Sequence, residues 1–512
     1  MQKTFALLAT LLLSISLGMA QKKETIDVKG DMYYDAGCYP RALTEYMRCY
    51  QRQPENTALL KRITQTILAY EMPRDTAVFF IEKYLKLIEE DDVEALYLAA
   101  QAHFHAHNFS RATKYLKDYQ TMVTDEKKLQ NAERLSQWIT NAQRMMRDTL
   151  NCRLVNLGDM INTVNSEINP IIADDDKLLI FSSDEKYNSM AMINVFNIKF
   201  SENQELSWTK SKGVTGAINT AYDEYVTAFA NSKMFFNSNR DVQFAIYESD
   251  YKGTGRFGDG VKFSYPFDLK GDEVAATCSP TGDTIIFSAT QPNGKLDLYF
   301  SIYANGKWGQ VRPVLGQINT EDYDENYPIF AANGRRLYFA SDRPTTMGGY
   351  DIYYSDLKRD GTWGEPVQMK YPINDTYDNL TISYSKSGRY AYISSIRHDS
   401  FGSRDIYAVV FDNILPTMAL MKCFVGIKAK PKPIPLSEQP LIRVYDENNE
   451  LVSSNRTNIS TSVFILALDP GTYRMEISAA GAQDYSEVIR IEEKTYDQND
   501  PIEKMFILEP EL

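Results

Sequence analysis

The chain has 512 residues, of which 43% are apolar and 24% charged, and its formal net charge at pH 7 is −13. At ~150 residues per domain this length predicts about three domains, and the apolar content is sufficient for ordinary globular cores. The acidic balance argues against nucleic acid or an anionic lipid surface as a partner. The 34 tyrosines favour β-rich structure and protein-contact surfaces.

The first twenty residues have the pattern of a secretory signal. Lys3 precedes the apolar run Phe5–Leu17, and Gly18-Met19-Ala20 resembles the small-residue cleavage site of a signal peptide, just before Gln21. The run is shorter than the ~18 residues of a membrane-spanning helix, and no later stretch reaches that length. We therefore predict an exported protein that is cleaved after Ala20 and is periplasmic or attached to the outer membrane through partners. The alternative is an uncleaved N-terminal anchor.

Residues 21–148 have helical periodicity. The 34-residue window 23–56 spaces its small, aromatic and terminating residues regularly, as do a weaker window at 57–91 and a third from about 93. In the first window these residues are Gly30, Tyr33, Gly37, Tyr39, Ala42, Tyr46, Cys49 and Pro54. The spacing resembles that of tetratricopeptide repeats, which implies an array of paired helices. A last amphipathic helix around 136–147 is predicted to cap the array.

Residues 149–412 contain the strongest internal repeat. Starts at 167, 223, 272, 324 and 378 each lead through an apolar run, a turn and a second apolar run into an Asp-aromatic segment. A spacing of about 50 residues with about four strands per repeat is typical of a propeller blade. Ser279-Pro280-Thr281-Gly282 and Phe339–Arg343 are the clearest instances, and they resemble the WD-repeat-like blades of TolB-type β-propellers. The resemblance implies five blades; six is the alternative.

Two local features refine this prediction. Asn333-Gly334 favours a tight hairpin, whereas the repeat at 223–268 lacks its hairpin glycine. Residues 152–157 form an apolar segment with no repeat of their own before it. We expect them to supply an outer strand to the last blade, because a ring closed in this way leaves no exposed sheet edge.

Residues 413–512 alternate in polarity and contain turn sequences. Strands are predicted at 441–445, 462–468, 474–477, 487–491 and 505–508, with a turn at Glu447–Glu450 and another at Asp469-Pro470-Gly471. The Leu468–Tyr473 segment resembles carboxypeptidase-regulatory-like domains, which implies a small all-β sandwich.

The sequence offers little catalytic chemistry. It contains no Gly-x-Ser-x-Gly elbow, phosphate-binding loop or dinucleotide fingerprint, so we predict no enzyme activity, no catalytic residues and no cofactor. Three of the four histidines are His103, His105 and His107; packing is the favoured reading and a metal site the alternative. The acidic turn Glu321–Glu325 is interpreted as a capped turn, with calcium binding as the alternative.

The order of the three domains resembles envelope proteins of Bacteroidetes-type bacteria, some of them from type IX secretion and gliding machinery. Such proteins also carry an OmpA-like module, and no segment here matches it. The resemblance implies a non-enzymatic scaffold in a secretion or outer-membrane assembly complex, with other envelope proteins as partners. The alternative is a glycan-binding or sialidase-like propeller, since Arg359–Trp363 is similar to the Asp-box turn of sialidases.

A protein-binding groove follows from the tetratricopeptide resemblance. In such arrays the first helix of each repeat lines a concave groove, and its outward positions hold peptides. Aromatic side chains are common anchors at interfaces, and acidic neighbours favour a basic partner segment. The alternative is a solvated helix face. The candidate groove residues are Asp27, Asp31, Tyr34, Asp35, Lys61, Gln65, Tyr97, Gln101, Phe104 and His105.

Overall fold

The computed structural model describes residues 28–511, except for short gaps within that range. The gaps are 71–72, 174–175, 191–192, 205–206, 242, 264–272, 332–333, 386–387, 412–418, 430–433, 436–437, 459–460, 469 and 493–501. The predicted signal at 1–20, the groove residue Asp27 and the hairpin residue Asn333 therefore lie outside the described residues. Within the described part, no helix is long and apolar enough to span a membrane.

Seven α-helices occupy the N-terminal part of the described chain, and we call them the helical array. They are α1 (Val28–Asp35), α2 (Tyr39–Arg52), α3 (Thr57–Ala69), α4 (Ala77–Leu87), α5 (Val93–His105), α6 (Phe109–Met122) and α7 (Glu126–Met145). A short 3-10 turn, Arg74–Thr76, precedes α4. Each helix packs against the next one along the chain.

Local sequence explains where these helices begin. The side chains of Asn56, Asp92 and Asp125 accept hydrogen bonds from the N–H three residues on, at 3.1, 3.2 and 2.8 Å. Close packing then joins the first pair of helices. A Cβ on Gly30 would lie 2.5 Å from the ring of Tyr46, so only glycine admits this fully buried tyrosine.

Five antiparallel sheets follow, and we call them together the β ring. Sheet one contains β2 to β6, sheet two β7 to β10, sheet three β11 to β15, sheet four β16 to β19, and sheet five β20 to β22 with β1. The strands of the first two sheets, together with β1, are β1 (Arg153–Asn156), β2 (Glu167–Ala173), β3 (Leu178–Asn188), β4 (Ile193–Gln204), β5 (Ser207–Trp208), β6 (Lys212–Gly213), β7 (Glu224–Ala230), β8 (Lys233–Asp241), β9 (Gln243–Asp250) and β10 (Val261–Lys262).

The remaining three sheets repeat this pattern. Their strands are β11 (Glu273–Cys278), β12 (Thr284–Thr290), β13 (Leu296–Ala304), β14 (Lys307–Trp308), β15 (Arg312–Pro313), β16 (Glu325–Phe330), β17 (Arg336–Ser341), β18 (Asp351–Asp356), β19 (Val367–Gln368), β20 (Ile382–Tyr384), β21 (Tyr390–Ser395) and β22 (Asp405–Val410). Each sheet thus has two central hairpin-connected strands and short outer strands, as in a propeller-like domain.

Contacts between neighbouring sheets close the ring. The inner strands β2, β7, β11 and β16 contact one another in that order, and β2 also contacts β20 and β21 of sheet five. The rings of Tyr338 and Tyr384 stack at 5.2 Å and join sheet four to sheet five. β1 pairs antiparallel with β22, with Arg153 opposite Val410, so the expected completion of the last sheet by 152–157 is confirmed.

The turn that lacks glycine also has a physical explanation. Between β7 and β8, Asn231 and Ser232 both have positive φ angles, of 50° and 56°. This conformation is uncommon for residues with a Cβ, and asparagine tolerates it better than most. The repeat at 223–268 therefore keeps a tight hairpin without its glycine.

The strands from Ala419 onward form a second compact unit. One sheet contains β23 (Ala419–Ile427), β24 (Ile434–Pro435), β27 (Val463–Leu468) and β30 (Ile502–Leu508); the other contains β25 (Leu441–Tyr445), β26 (Leu451–Arg456), β28 (Gly471–Ser478) and β29 (Tyr485–Ile491). Their inward side chains share one core. The sequence analysis missed β23, which pairs with both β27 and, in parallel, β30.

Candidate protein-binding groove and its contact with the β ring

The charged residues predicted for the groove are tied together across helices α1, α3 and α5. Asp31 accepts a hydrogen bond from the hydroxyl of Tyr46 at 2.6 Å and pairs with Arg62 at 3.1 Å. Lys61 pairs with Asp92 at 2.9 Å and with Glu94 at 2.7 Å. These contacts hold neighbouring repeats in register, so the groove charges stabilise the array as well as facing outward.

Two predicted polar positions lie on the same face. Gln65 donates a hydrogen bond to Glu94 at 3.2 Å, and Gln101 is half-buried. Asp35 is exposed at the end of α1. Together with Asp31 and Glu94 it leaves this surface with more acidic than basic groups.

The predicted aromatic anchors are only partly exposed. The guanidinium of Arg62 lies over the ring of Tyr34, 4.7 Å from its centroid, and Tyr34 also meets Tyr39 edge-on at 5.4 Å. Tyr97 packs against Tyr119 at 5.0 Å, and burial raises the pKa of Tyr97 to about 12. Both tyrosines therefore present one edge to the groove while the rest of the ring packs.

The outward placement of Phe104 is wrong. Its side chain is 1% exposed and packs against Trp138 of α7 and Phe109 of α6, with ring centroids 6.3 Å away in each case. At the end of α5 the long helix α7 covers the face that is open in the earlier repeats. The sequence showed the spacing of the repeat but not which neighbour covers its last helix.

His105 contacts the β ring instead of lining the predicted groove. Its imidazole stacks on the ring of Tyr377 at 4.8 Å, and its Nε2 lies 3.4 Å from Nη1 of Arg74. The backbone N–H of Arg74 donates a hydrogen bond to the Tyr377 hydroxyl at 3.0 Å. Burial and the nearby Arg74 guanidinium lower the pKa of His105 well below its usual range.

Helix α7 makes a second set of contacts with the β ring. Arg134 pairs with Asp342 at 2.8 Å, and Nδ2 of Asn141 donates to the carbonyl oxygens of Pro344 and Thr346, both at 2.8 Å. Met347 is fully buried in the core of the helical array. A loop of sheet four is thus held by a charged pair, two backbone contacts and an apolar anchor.

A third contact lies near sheet one. The guanidinium of Arg41, at the start of α2, lies 3.5 Å from the centroid of the Tyr187 ring. Contacts to sheets one, four and five all lie at the end of the ring where the inner strands begin. We call this the helix-facing end, and the opposite end, with hairpins between first and second strands, the hairpin end.

Three sheets bury a glutamate at the helix-facing end. Glu167, Glu224 and Glu325 begin their inner strands and are 0% exposed. Each accepts hydrogen bonds from the N–H and hydroxyl of a threonine and from the hydroxyl of a serine on the next strand. The threonines are Thr163, Thr220 and Thr320, and the serines are Ser183, Ser238 and Ser341.

Sheet four shows this arrangement most fully. The Arg343 guanidinium pairs with Glu325 at 3.0 Å and donates to the carbonyl oxygen of Ile318 at 2.6 Å. Burial raises the pKa of Glu325, while the Thr320 N–H and Arg343 oppose that shift. The sequence contained the signal, because Ile-Asn-Thr precedes a glutamate by four residues in sheets one and two and by five in sheet four, but sequence reasoning did not connect the two.

Sheet five places the carboxylate elsewhere. Asp375 stands where the other sheets have threonine, and Asn379 stands where they have glutamate. The Asp375 carboxylate accepts from Ser395 at 3.0 Å and pairs with Arg397 at 2.8 Å, and its N–H donates to Asn379 Oδ1 at 2.8 Å. The serine, the arginine and the backbone N–H of the connection thus keep hydrogen-bond partners as in sheet four. The carboxylate now lies on the connection, and the amide of Asn379 takes the place of the glutamate.

The remaining histidine and metal hypotheses have simple outcomes. His103 is fully buried, stacks on Tyr115 at 5.5 Å and lies 2.8 Å from Glu82. The packing interpretation of His103 is therefore confirmed. Among the described residues there is no group of three or more His, Cys, Asp or Glu side chains placed to hold a metal ion.

Comparison with known proteins finds several solved structures that are similar to this chain. No protein-family model and no curated protein match the chain. It is similar to TolB from Acinetobacter baumannii (17% identity over 58% of this chain, TM-score 0.30) and to a putative TolB from Agrobacterium tumefaciens (12% over 66%, TM-score 0.32). It is also similar to a sialidase from Trypanosoma rangeli (8% over 66%, TM-score 0.31).

The match covers 65% of the Acinetobacter TolB, just under two thirds of its length, against 88% of the Agrobacterium protein and 89% of the sialidase. The chain is thus similar to TolB proteins and to a glycosidase alike. These likenesses accompany a propeller-like β domain and do not distinguish a binding protein from an enzyme.

Proposed function

We propose that this chain is a non-enzymatic protein-binding scaffold of the bacterial cell envelope, part of a secretion or outer-membrane assembly complex. The observation that carries the proposal is the attachment of the helical array to the β ring. Arg41, the Arg74 turn, His105 and α7 each contact the helix-facing end. A groove fixed against a second rigid body is suited to presenting partners in a constant geometry.

The chemistry at the helix-facing end supports binding over glycoside cleavage by a pair of carboxyl groups. Glycosidases of that kind need two carboxyl groups about 5–10 Å apart that face a sugar, whereas sialidases use a tyrosine nucleophile and are outside this comparison. Here Glu167, Glu224 and Glu325 lie inside the sheets and are bonded to threonine and serine. The helices also contact the loops of sheets four and five beside them.

The finer assignments in this proposal come from sequence resemblance. The helical array is interpreted as tetratricopeptide repeats, the β ring as a five-bladed TolB-type propeller and the last unit as a carboxypeptidase-regulatory-like sandwich. The N-terminal signal pattern supports export to the periplasm or the outer membrane. The domain order supports a type IX secretion-like role, with other envelope proteins as partners.

Within this proposal the groove binds a basic segment of a partner. Its surface carries exposed Asp35, the acidic groups of Asp31 and Glu94, and edges of Tyr34 and Tyr97. Lys61 and Arg62 offset part of this charge through the pairs already described. An acidic surface with aromatic edges favours a partner that carries lysine or arginine.

Affinity capture from detergent-solubilised envelopes tests the proposal with the full chain. The variant Asp35→Lys with Gln101→Lys makes the groove more positive by three charges, at one exposed and one half-buried position. The matched control is Asp118→Lys on the exposed face of α6. We expect wild type and the control to recover the same envelope proteins, and the groove variant to lose at least one of them.

Two results contradict the proposal. If the purified chain hydrolyses glycosides and a single carboxylate substitution abolishes the turnover, it is an enzyme. If wild-type protein recovers no envelope component under conditions in which a known complex is recovered intact, it is not a scaffold of the envelope. If instead the groove variant recovers every partner, binding lies outside the groove.

A further inference from the structure

We propose that a pocket between sheets three and four binds a partner segment that places an apolar side chain beside a lysine or arginine. This inference rests on the proposed function, because it names a second binding site of the scaffold. The pocket has a volume of about 380 Å³, at the lower end of the range for ligand sites. It lies at the hairpin end, away from the helical array.

The walls of this pocket are apolar. Trp363 and Phe330 meet with ring centroids 6.1 Å apart, and Phe300 and Pro280 also line the pocket. Ile302 and Leu315 stand at its sides with 50% and 51% of their surface exposed. Large apolar side chains left exposed around an apolar pocket mark a contact site more often than isolated ones do.

Backbone geometry keeps these walls together. Gly316 has a φ of +119°, and a Cβ there would lie 2.3 Å from the carbonyl oxygen of Trp363. The N–H of Trp363 donates to the carbonyl oxygen of Leu315 at 3.0 Å. Only glycine permits this approach, so the side of the pocket formed by Leu315 is fixed against the wall formed by Trp363.

One carboxylate gives the pocket its chemical preference. Oδ1 of Asp283 accepts hydrogen bonds from the hydroxyls of Ser279, Thr281 and Thr284, at 2.9, 2.8 and 3.0 Å. These three donors lower the pKa of Asp283 and keep it ionised. Within the described residues, Asp283 forms no ion pair. A fixed anion beside apolar walls favours a cationic group attached to an apolar body.

Among sheets three, four and five, the sequence places this charge in sheet three alone. The hairpins of sheets three, four and five have equal lengths between their paired strands, and each contains a glycine followed by a charged residue. That residue is Asp283 in sheet three but Arg335 in sheet four and Arg389 in sheet five. An acid at this position is therefore not required to form the hairpin.

Peptide binding to the purified full chain tests the inference. The probe is N-acetyl-Gly-Leu-Lys-Gly-amide, and the comparison peptide has glutamate in place of lysine. Fluorotryptophan labelling makes the four tryptophans visible by fluorine NMR, and the variant Trp363→Phe assigns the signal from the pocket. We expect the lysine peptide to shift the Trp363 signal saturably, with the glutamate peptide at least about tenfold weaker.

Variants then separate the charge from the fold. Asp283→Asn keeps the size of the side chain and should weaken the lysine peptide about tenfold, since a charged hydrogen bond is lost. Arg335→Gln, at the equivalent hairpin position of sheet four, should leave binding within about twofold. Equal binding of both peptides, no effect of Asp283→Asn, or no binding by any protein would overturn the inference.

Two further outcomes are distinguishable. A Trp363 signal that depends on protein concentration without peptide would mean that a second copy fills the pocket, which also overturns the inference. Envelope capture is measured in parallel with wild type and Asp283→Asn. Capture that persists while the peptide fails to bind removes the pocket site but leaves the scaffold proposal, whereas absent capture removes the scaffold proposal itself.

Discussion

Sheets four and five solve the same structural problem with the charge in different places. In sheet four the inner strand contributes the carboxylate, Glu325, and the connection before it contributes Thr320. In sheet five the connection contributes the carboxylate, Asp375, and the inner strand contributes Asn379. Both carboxylates contact a serine at the end of the next strand and an arginine two residues after that serine. We call the carboxylate with these partners the corner of the sheet; its contacts are kept although the carboxylate changes position.

The exchange coincides with the attachment of the helical array. The Asp375 charge raises the pKa of His107 on the turn after α5, against the larger lowering effect of burial. Tyr377, two residues further on, contacts both Arg74 and His105. In sheet five, the connection that carries the exchanged carboxylate therefore also contacts the helical array, as expected if the departure from the repeat serves the attachment.

Removing the carboxylate of sheet four should have the largest effect. Glu325→Ala leaves the largely buried Arg343 without its charged partner, and such losses typically cost about 3–5 kcal/mol. We expect the urea midpoint of the β ring, followed by tryptophan fluorescence, to fall strongly. Asp356→Ala breaks the more exposed pair with Arg336 and should cost about 1 kcal/mol or less. Equal losses would mean that the buried corner contributes no more than a surface pair.

A carboxyl group of sheet five should make ring stability depend on pH. Burial raises the pKa of Asp405 to about 7, and Asn156 of β1 donates to it at 2.6 Å. Because this folded pKa lies above the usual value, the contribution of Asp405 to the stability of the ring is fully present below about pH 4. It is lost as pH rises to about 7. Sheet one has Asn197 at the equivalent position, opposite Ser183 as Asp405 is opposite Ser395.

Asp405→Asn should therefore stabilise the ring at pH 8 by up to about 4 kcal/mol and change little at pH 4. The measurement is the urea midpoint of wild type and variant at both values. An equal difference in urea midpoint between wild type and variant at both pH values would show that Asp405 does not titrate in this range. A loss at both values would show that the amide cannot reproduce the contacts of the neutral carboxyl.

Exchanging the corner of sheet five should restore the pattern of the other sheets. Asp375→Thr alone leaves Arg397 without a carboxylate, and Asn379→Glu alone places a second carboxylate beside Asp375. The double variant recreates the threonine and glutamate found four residues apart in sheets one and two. We expect a favourable coupling of about 1–3 kcal/mol in a double-mutant cycle. Additive losses would show that the two corners are not interchangeable.

The repeats made much of this architecture predictable. Helical spacing and hairpin signals correspond to elements that form largely from local sequence. The strand at 152–157 was predicted although its partner β22 is distant, because the repeats left the last sheet without an outer strand. Strand β23 was missed because its partners, β27 and β30, lie far along the chain and no local turn connects them. The positions of strands with distant partners depend on pairing that a local pattern does not contain.

The candidate site was less predictable for a related reason. Helical spacing identified the face that contains Tyr34 and Tyr97, but Phe104 occupies the same spacing and is buried. What distinguishes them is the element packed opposite, α7 in one case and solvent in the other. His105 similarly meets Tyr377, which lies more than 270 residues further along the chain. Contacts between distant segments leave no periodic signal in either one.

The smallest expected effect concerns His105, which faces Arg74, His107 and Tyr377. Its pKa is lowered by burial and by Arg74, so it contributes stability above about pH 6.5 that is lost as pH falls. His105→Phe keeps an aromatic ring against Tyr377 but does not titrate. Between pH 7.5 and pH 5, the protection factors of α5 and the Arg74–Thr76 turn, which are corrected for the intrinsic exchange rate at each pH, should therefore fall less in this variant than in wild type.

Tyr377→Phe provides the control for this measurement, because it removes the acceptor of the Arg74 N–H without removing a group that titrates in this range. It should accelerate exchange by a similar factor at both pH values, corresponding to about 0.5–1.5 kcal/mol for one hydrogen bond. If His105→Phe and wild type respond identically to pH, another group controls the attachment. His107, close to Asp375 and Arg397, would then be the next residue to substitute.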